Sequence, residues 1–199
     1  PYWQVFITLE QPKIQLQHNK DIFKKSELEK FQGLRGKTAD LTTEKKQQTL
    51  APNPPFNLTT LQTEAYRLFG LNPGRTLQIA QGLYLAGLIS YPRTSSQKLP
   101  ASIGYKEILK KLALKYNAEK FLTKHVPVEG RKSDPAHPSI YPTGNMQQLG
   151  EDERKIYDLI VKRFLSLFCE DAIIDNKIIT ARSDGLIFNL KGSSIRSIG

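Results

Sequence analysis

Thr59-Thr60-Leu61-Gln62-Thr63-Glu64-Ala65-Tyr66-Arg67-Leu68-Phe69-Gly70, then Leu71-Asn72-Pro73 and a second apolar-periodic run ending at Gly87, is the most patterned stretch of this 199-residue chain. The threonines are good helix openers, and Leu61, Ala65 and Leu68 recur at helical spacing on one face. Gly70 stands where a helix C-terminus wants a residue of positive φ. Pro73 suits the first turn of a new helix, which places Leu77, Ala80, Leu83 and Tyr84 on one side. Two helices joined by a tight turn predict a helix-turn-helix unit. Leu88-Ile89-Ser90-Tyr91 then reads as a short strand stopped by Pro92, which gives the helix, turn, helix, strand order of a winged helix.

Working outward, Ala51-Pro52-Asn53-Pro54-Pro55-Phe56 cannot continue a helix or a central strand and reads as a linker. Before it, Tyr2–Leu9 and Lys13–His18 form a hairpin candidate broken at Glu10-Gln11-Pro12. Residues 26–32 read as a short helix with Ser26 as N-cap, and Thr38–Thr49 as polar chain holding another exposed strand. After the patterned segment, residues 102–116 form an amphipathic helix with Lys106, Lys110, Lys111 and Lys115 outside. Val126–Gly144 is loop-like, and a helix opens on Glu151-Asp152-Glu153, where acids favour the start. The C-terminal part reads as antiparallel strands with turns at Asp175-Asn176 and Asp184-Gly185. Strands at both ends with helices between predict an α+β fold. Residues 1–55 and 145–199 would form a β-rich domain, and residues 56–144 an inserted helical, winged-helix-like domain.

Composition narrows the function classes. With 39% hydrophobic, 9% aromatic and 24% charged residues, the chain is globular rather than disordered. No apolar run reaches the ~20 residues of a membrane span. One cysteine, Cys169, excludes a disulfide framework and a cysteine-cluster zinc site, and a reducing, cytoplasmic setting is the default. The first residue is Pro rather than Met, which suggests a piece of a longer chain. The net charge is +10 and unevenly spread. Residues 1–57 hold nine basic and six acidic residues, 58–150 twelve and five, and 151–199 eight of each. An excess confined to the middle points to a polyanion there, although many basic domains bind nothing charged.

No Gly-rich phosphate loop and no His/Cys metal spacing is visible, and the histidines lie far apart at 18, 125 and 137. What remains is Ser90-Tyr91-Pro92-Arg93-Thr94-Ser95-Ser96. A phenol, with a pKa of about 10, is a weak nucleophile at neutral pH and needs a nearby cation or base. A guanidinium stabilises a phenolate and the charge spread over a phosphoryl transition state. On an extended strand, Tyr91 and Arg93 would share a face. Alone, a Tyr-X-Arg is usually structural.

Three blocks together say more. They are Pro55–Gln62, Thr76–Tyr84 and Gly87–Thr94, followed by Ala136-His137-Pro138-Ser139-Ile140-Tyr141-Pro142-Thr143. In this order the chain resembles the active-site region of type IA DNA topoisomerases, and Tyr2-Trp3-Gln4-Val5 is similar to a strand that precedes the family's tyrosine domain. Pro92 and Ser95 resemble the archaeal, topoisomerase III-like branch, whereas the main bacterial enzymes usually carry an acid where Ser95 stands and a basic residue where Tyr141 stands.

The resemblance implies that Tyr91 is the nucleophile holding a 5′ phosphate, that Arg93 positions it and stabilises the phosphate, and that His137 contacts the phosphate. Gln81, Thr94, Thr60, Gln62 and Ser95 would line the DNA-binding surface. It further implies single-stranded and negatively supercoiled DNA as substrate, a nucleoid-associated setting, and Mg²⁺ held in a separate N-terminal domain of the same polypeptide. No such acidic motif occurs here, so the segment by itself is expected to be inactive. It would be the central piece: the arch-like β domain, ending at Gly199 inside a returning β segment, plus the tyrosine-bearing domain. A non-catalytic winged-helix DNA-binding module is the alternative. A tyrosine recombinase is a weaker third reading, since the further Arg and His residues it needs are not apparent.

Overall fold

The computed structural model describes residues 1–197. The described chain divides into two compact units, residues 1–50 with 172–197, and residues 51–171.

In the first unit, five strands form one antiparallel sheet among the described residues, in the order β1-β2-β5-β4-β3. They are β1 (Phe6–Leu9), β2 (Ile14–His18), β3 (Asp40–Leu50), β4 (Ala172–Ser183) and β5 (Leu186–Ser197). The two chain ends therefore share one sheet, as the strand pattern predicts. Tyr2–Leu9 is only partly regular: before β1, Trp3 pairs with Ile22 as an isolated bridge. The β4–β5 hairpin turns at Asp184 and Gly185, both at positive φ (48° and 74°), the conformation that a two-residue hairpin loop needs. The expected turn at Asp175-Asn176 is absent. β4 runs through these residues because it is paired on both sides, to β3 from Asp40↔Arg182 to Leu50↔Ala172 and to β5. Their side chains pair across the strands instead, Gln47 donating to Asp175 at 3.1 Å and Asn176 to Gln48 at 3.2 Å. The helix expected over 26–32 is a 3₁₀ turn (Lys25–Leu28) continued by one α-turn, α1 (Glu29–Gln32). Ser26 is not its cap, since the N-cap position is Lys24 and makes no side-chain cap bond. The expected continuation of the β segment to Gly199 lies outside the described residues.

Leu16, Ala181 and Phe188 are fully buried between Val5, Ile7, Phe31 and Ile179. His18 belongs to this core: its Nδ1 donates to the Ile187 carbonyl at 2.8 Å, and its ring packs 4.9 Å from Phe31 and 5.3 Å from Phe188.

The second unit holds α2 (Leu58–Phe69), α3 (Pro73–Leu85), α4 (Tyr105–Tyr116) and α5 (Glu151–Ser166). The cap of α2 is Asn57 rather than a threonine. Gly70 ends the helix in the left-handed region at φ 69°, as its position predicts. α4 starts later than residue 102, after a 3₁₀ turn at Ala101–Ile103, and its lysine face is exposed. α5 buries Ile156, Tyr157, Ile160, Val161, Phe164 and Leu165 in the core that also takes Leu61, Ala65, Ile79, Ala80, Leu83 and Leu112. That burial is why residues 145–171 join the helical unit and the boundaries fall at 50/51 and 171/172 rather than 55/56 and 144/145. The strand expected at Leu88–Tyr91 reduces to a single bridge, Ile89↔Pro142.

Candidate active site

The site is made where two irregular segments of the helical unit, 87–97 and 133–143, run against each other. Ser90 splices them at one end. Its N–H donates to the Tyr141 carbonyl (2.9 Å), and its hydroxyl donates to the Ser139 carbonyl (3.1 Å) and accepts from the Tyr141 N–H (3.0 Å). Beside it, the Thr143 N–H donates to the Leu88 carbonyl (3.0 Å) and the Thr143 hydroxyl to the Gly87 carbonyl (2.7 Å), so a few such bonds replace the strand ladder expected here.

At the other end the ties are Thr94, Ser95 and a backbone bond from the Ser139 N–H to the Lys98 carbonyl (2.9 Å). Thr94 is buried, its hydroxyl donates to the His137 carbonyl (3.4 Å) and accepts from the Ser96 N–H (3.0 Å). Asp134 is a residue that motif reading passes over. Its Oδ1 accepts from the N–H groups of Ala136 (3.0 Å) and His137 (3.1 Å), and its Oδ2 accepts from the Ser95 hydroxyl (3.1 Å) and N–H (3.4 Å). Those backbone N–H bonds, Ala136 first and then Ser95, hold its carboxyl below the usual range, against an opposing contribution from burial.

Between these two sets of ties sit the predicted chemical groups. The Tyr91 ring is half-buried and packed between two rings, with Tyr84 edge-on at 5.3 Å and His137 tilted at 4.7 Å. Tyr84 therefore does not belong to the core face of α3; it is 38% exposed and supports the nucleophile candidate. His137 and Arg93 are both exposed, and Arg93 is in no ion pair among the described residues. The shared-face argument for Tyr91 and Arg93 does not hold, because no extended strand exists. The chain bends at Pro92, and the Thr94 N–H donates to the Pro92 carbonyl at 3.0 Å.

The start of α2 carries this loop. Asn57 is 2% exposed and forms a reciprocal cap with Thr60: its Oδ1 accepts from the Thr60 N–H at 2.9 Å, and its own N–H donates to the Thr60 hydroxyl at 3.1 Å. Its Nδ2 donates to the Ser95 carbonyl (3.1 Å), and the Leu58 N–H to the Thr94 carbonyl (3.1 Å). Thr60 is thus occupied in the cap, and Gln62 donates to the Pro73 carbonyl at 3.0 Å, which ties α2 to α3. Thr60, Gln62, Thr94 and Ser95 all have protein partners, and of the four only Ser95 is exposed. Two buried oxygens have no partner among the described residues, Gln81 Oε1 on α3 and Ser139 Oγ. Among the described residues no three His, Cys, Asp or Glu side chains converge as metal ligands, so the residues present do not fit a Mg²⁺ site.

A family model described as DNA topoisomerase matches residues 1–199. DNA topoisomerase 1 of Methanothermobacter thermautotrophicus is 47% identical over 183 residues, covering 87% of this chain and 25% of the relative. That of Pyrococcus horikoshii is 47% identical over 156 residues, covering 74% and 23%. That of Methanocaldococcus jannaschii is 38% identical over 204 residues, covering 97% and 27%. Full-length topoisomerase I from Thermotoga maritima shares the fold at a TM-score of 0.67 over 99% of this chain and 34% of that one, at 23% identity. The chain belongs to the DNA topoisomerase family, in its type IA class, and spans about 25% of the length of the archaeal relatives. Those relatives are isomerases by name.

Proposed function

We propose that this chain is the tyrosine-bearing segment of an enzyme that cuts, passes and reseals one DNA strand, relaxing negatively supercoiled DNA. The Tyr91 oxygen attacks a backbone phosphorus. A new P–O(tyrosine) bond forms, the bond from phosphorus to the 3′ oxygen breaks, the phenolic proton leaves to solvent or a base, and the 3′ oxygen takes up a proton. The 5′ phosphate stays on Tyr91. Religation is the reverse, so one ester replaces another and no ATP is consumed.

The observation that carries this reading is the row Tyr84–Tyr91–His137, with exposed Arg93 two residues from the tyrosine. Ring packing fixes the phenol at little entropic cost, and a guanidinium in no ion pair is free to meet the phosphate. His137 contacts that phosphate. Gln81 and Ser95 face the strand, Tyr84 offers an aromatic edge for a base, and Thr60, Gln62 and Thr94 act by holding the loop. The basic middle of the chain attracts the substrate. The β-rich unit serves as part of an arch and the helical unit as the winged-helix-like carrier of the tyrosine. Mg²⁺ would be held by residues of the same polypeptide outside this chain, so the 199-residue segment alone does not relax DNA.

The test is label transfer. A 3′-labelled single-stranded oligonucleotide is incubated with the complete polypeptide and denatured. Label on the protein, absent in Tyr91→Phe, is the expected result. Salt-sensitive binding with no adduct would favour the DNA-binding module, and an adduct that persists in Tyr91→Phe would remove the nucleophile assignment.

A further inference from the structure

Tyr91 and His137 are 46 positions apart and each lies on irregular backbone. Their 4.7 Å ring packing depends on how the two segments are tied. The Ser90 ties lie on one side of Tyr91. On the other side, the Ser139 N–H donates to the Lys98 carbonyl at 2.9 Å, and the Thr94 hydroxyl reaches the His137 carbonyl at a long 3.4 Å. Asp134 makes four contacts, two to each segment, at 3.0 to 3.4 Å. It is also the one carboxylate in this set, and bonds from N–H and O–H to a carboxylate are stronger than neutral ones.

We propose that Asp134 is the positioning residue that holds the Tyr91 loop and the His137 loop in one reactive geometry. It touches neither substrate nor reacting atoms; it acts through Ser95 on one loop and through the His137 backbone on the other. The two carboxylate oxygens divide the work. Oδ1 shapes the histidine turn and Oδ2 docks the tyrosine loop. Asparagine at this position keeps an acceptor for the turn but presents an N–H₂ to the Ser95 N–H, so it preserves one half and breaks the other.

The proposal rests on the cleavage reading above, and its test is built to fail separately. In the complete polypeptide, Asp134→Ala is expected to lower the single-turnover cleavage rate roughly 10²-fold, the cost of misplacing reacting groups by about 1 Å. The thermal midpoint should fall by only a few degrees, and oligonucleotide affinity should change much less than the cleavage rate, a split that general loss of folding would not produce. Asp134→Asn should fall between, down roughly tenfold for one lost charge-assisted bond. Cleavage in Asp134→Ala at the wild-type rate overturns the proposal, as does an Asp134→Asn variant no faster than Asp134→Ala. If Asp134→Ala does not fold, Asp134→Asn is compared with Ser95→Ala, and wild-type rates in both overturn it. If the wild-type polypeptide forms no adduct, the cleavage reading fails and the clamp is read from the His137 ring protons. Their ring-current displacement by Tyr91 should vanish in Asp134→Ala, and persistence overturns the proposal.

Discussion

Replacing Asn57 by alanine separates helix capping from loop docking, because one side chain does both. Asn57 is 2% exposed, so water does not easily take over its bonds. The alanine loses the acceptor for the Thr60 N–H, worth about 1 kcal/mol for an N-cap. It also loses the Nδ2 donor to the Ser95 carbonyl, worth about 1 kcal/mol for a hydrogen bond whose partner remains. The sum, about 2 kcal/mol, corresponds to a melting midpoint lower by about 4–8 °C for a chain of this size. Thermal and urea unfolding of Asn57→Ala measure the total. Asn57→Ser apportions it, since serine caps well but is too short to reach Ser95 while capping. The serine variant should recover roughly half of the loss, about 1 kcal/mol. A destabilisation by Asn57→Ala of under about 0.5 kcal/mol, the level of an ordinary surface change, would refute the argument. So would a serine variant indistinguishable from the alanine one, because the cap would then contribute nothing.

Gly130 pairs with Gln97, and a Cβ there would sit 2.7 Å from the Gln97 Cβ, so Gly130→Ala should cost about 1–3 kcal/mol by overpacking, measurable as a shift in urea midpoint. Asp134, whose carboxyl is held below its usual range by backbone N–H bonds, ties the loops at every pH above the free carboxyl value of about 3.9. As pH falls below that and through the still lower folded value, the carboxylate is protonated and the tie is lost, which the amide resonances of Ser95, Ala136 and His137 should report together while Asp134→Asn shows no such step. Burial pushes the Cys169 thiol up, so iodoacetamide at pH 8 should label the native chain slowly and the urea-unfolded chain quickly; equal rates would contradict the burial.

Much of the helical unit was legible in the residues alone. Leu61 and Ala65 on α2, Ile156 and Ile160 on α5, and the stop at Gly70 follow from spacing of 3.6 and from the need for positive φ, both properties of a short window. Tyr91 and Arg93 were singled out as a Tyr-X-Arg, and His137 through the family resemblance, and their roles rest on the proposed function. Other local signals were overruled. Asp175-Asn176 carries turn chemistry, yet β3 and β5 on either side hold it straight. Leu88–Tyr91 carries strand chemistry, yet it meets 139–143 through one bridge, a few backbone bonds and the Ser90 and Thr143 hydroxyls rather than a regular ladder. Tyr84 fits the periodicity of a core position, yet its partner is Tyr91.

Sequence by itself determined most of which segments coil and which extend, and it pointed to the side chains proposed for phosphate chemistry, because propensity, capping and hydrophobic period act over a few residues. Only the tertiary structure decided that Asp134 faces Ser95 and that His137 packs on Tyr91. Those are meetings of residues about 40 positions apart, and they are set by how the intervening α4 and its loops pack, a free-energy balance over the whole unit to which no single window of residues has access.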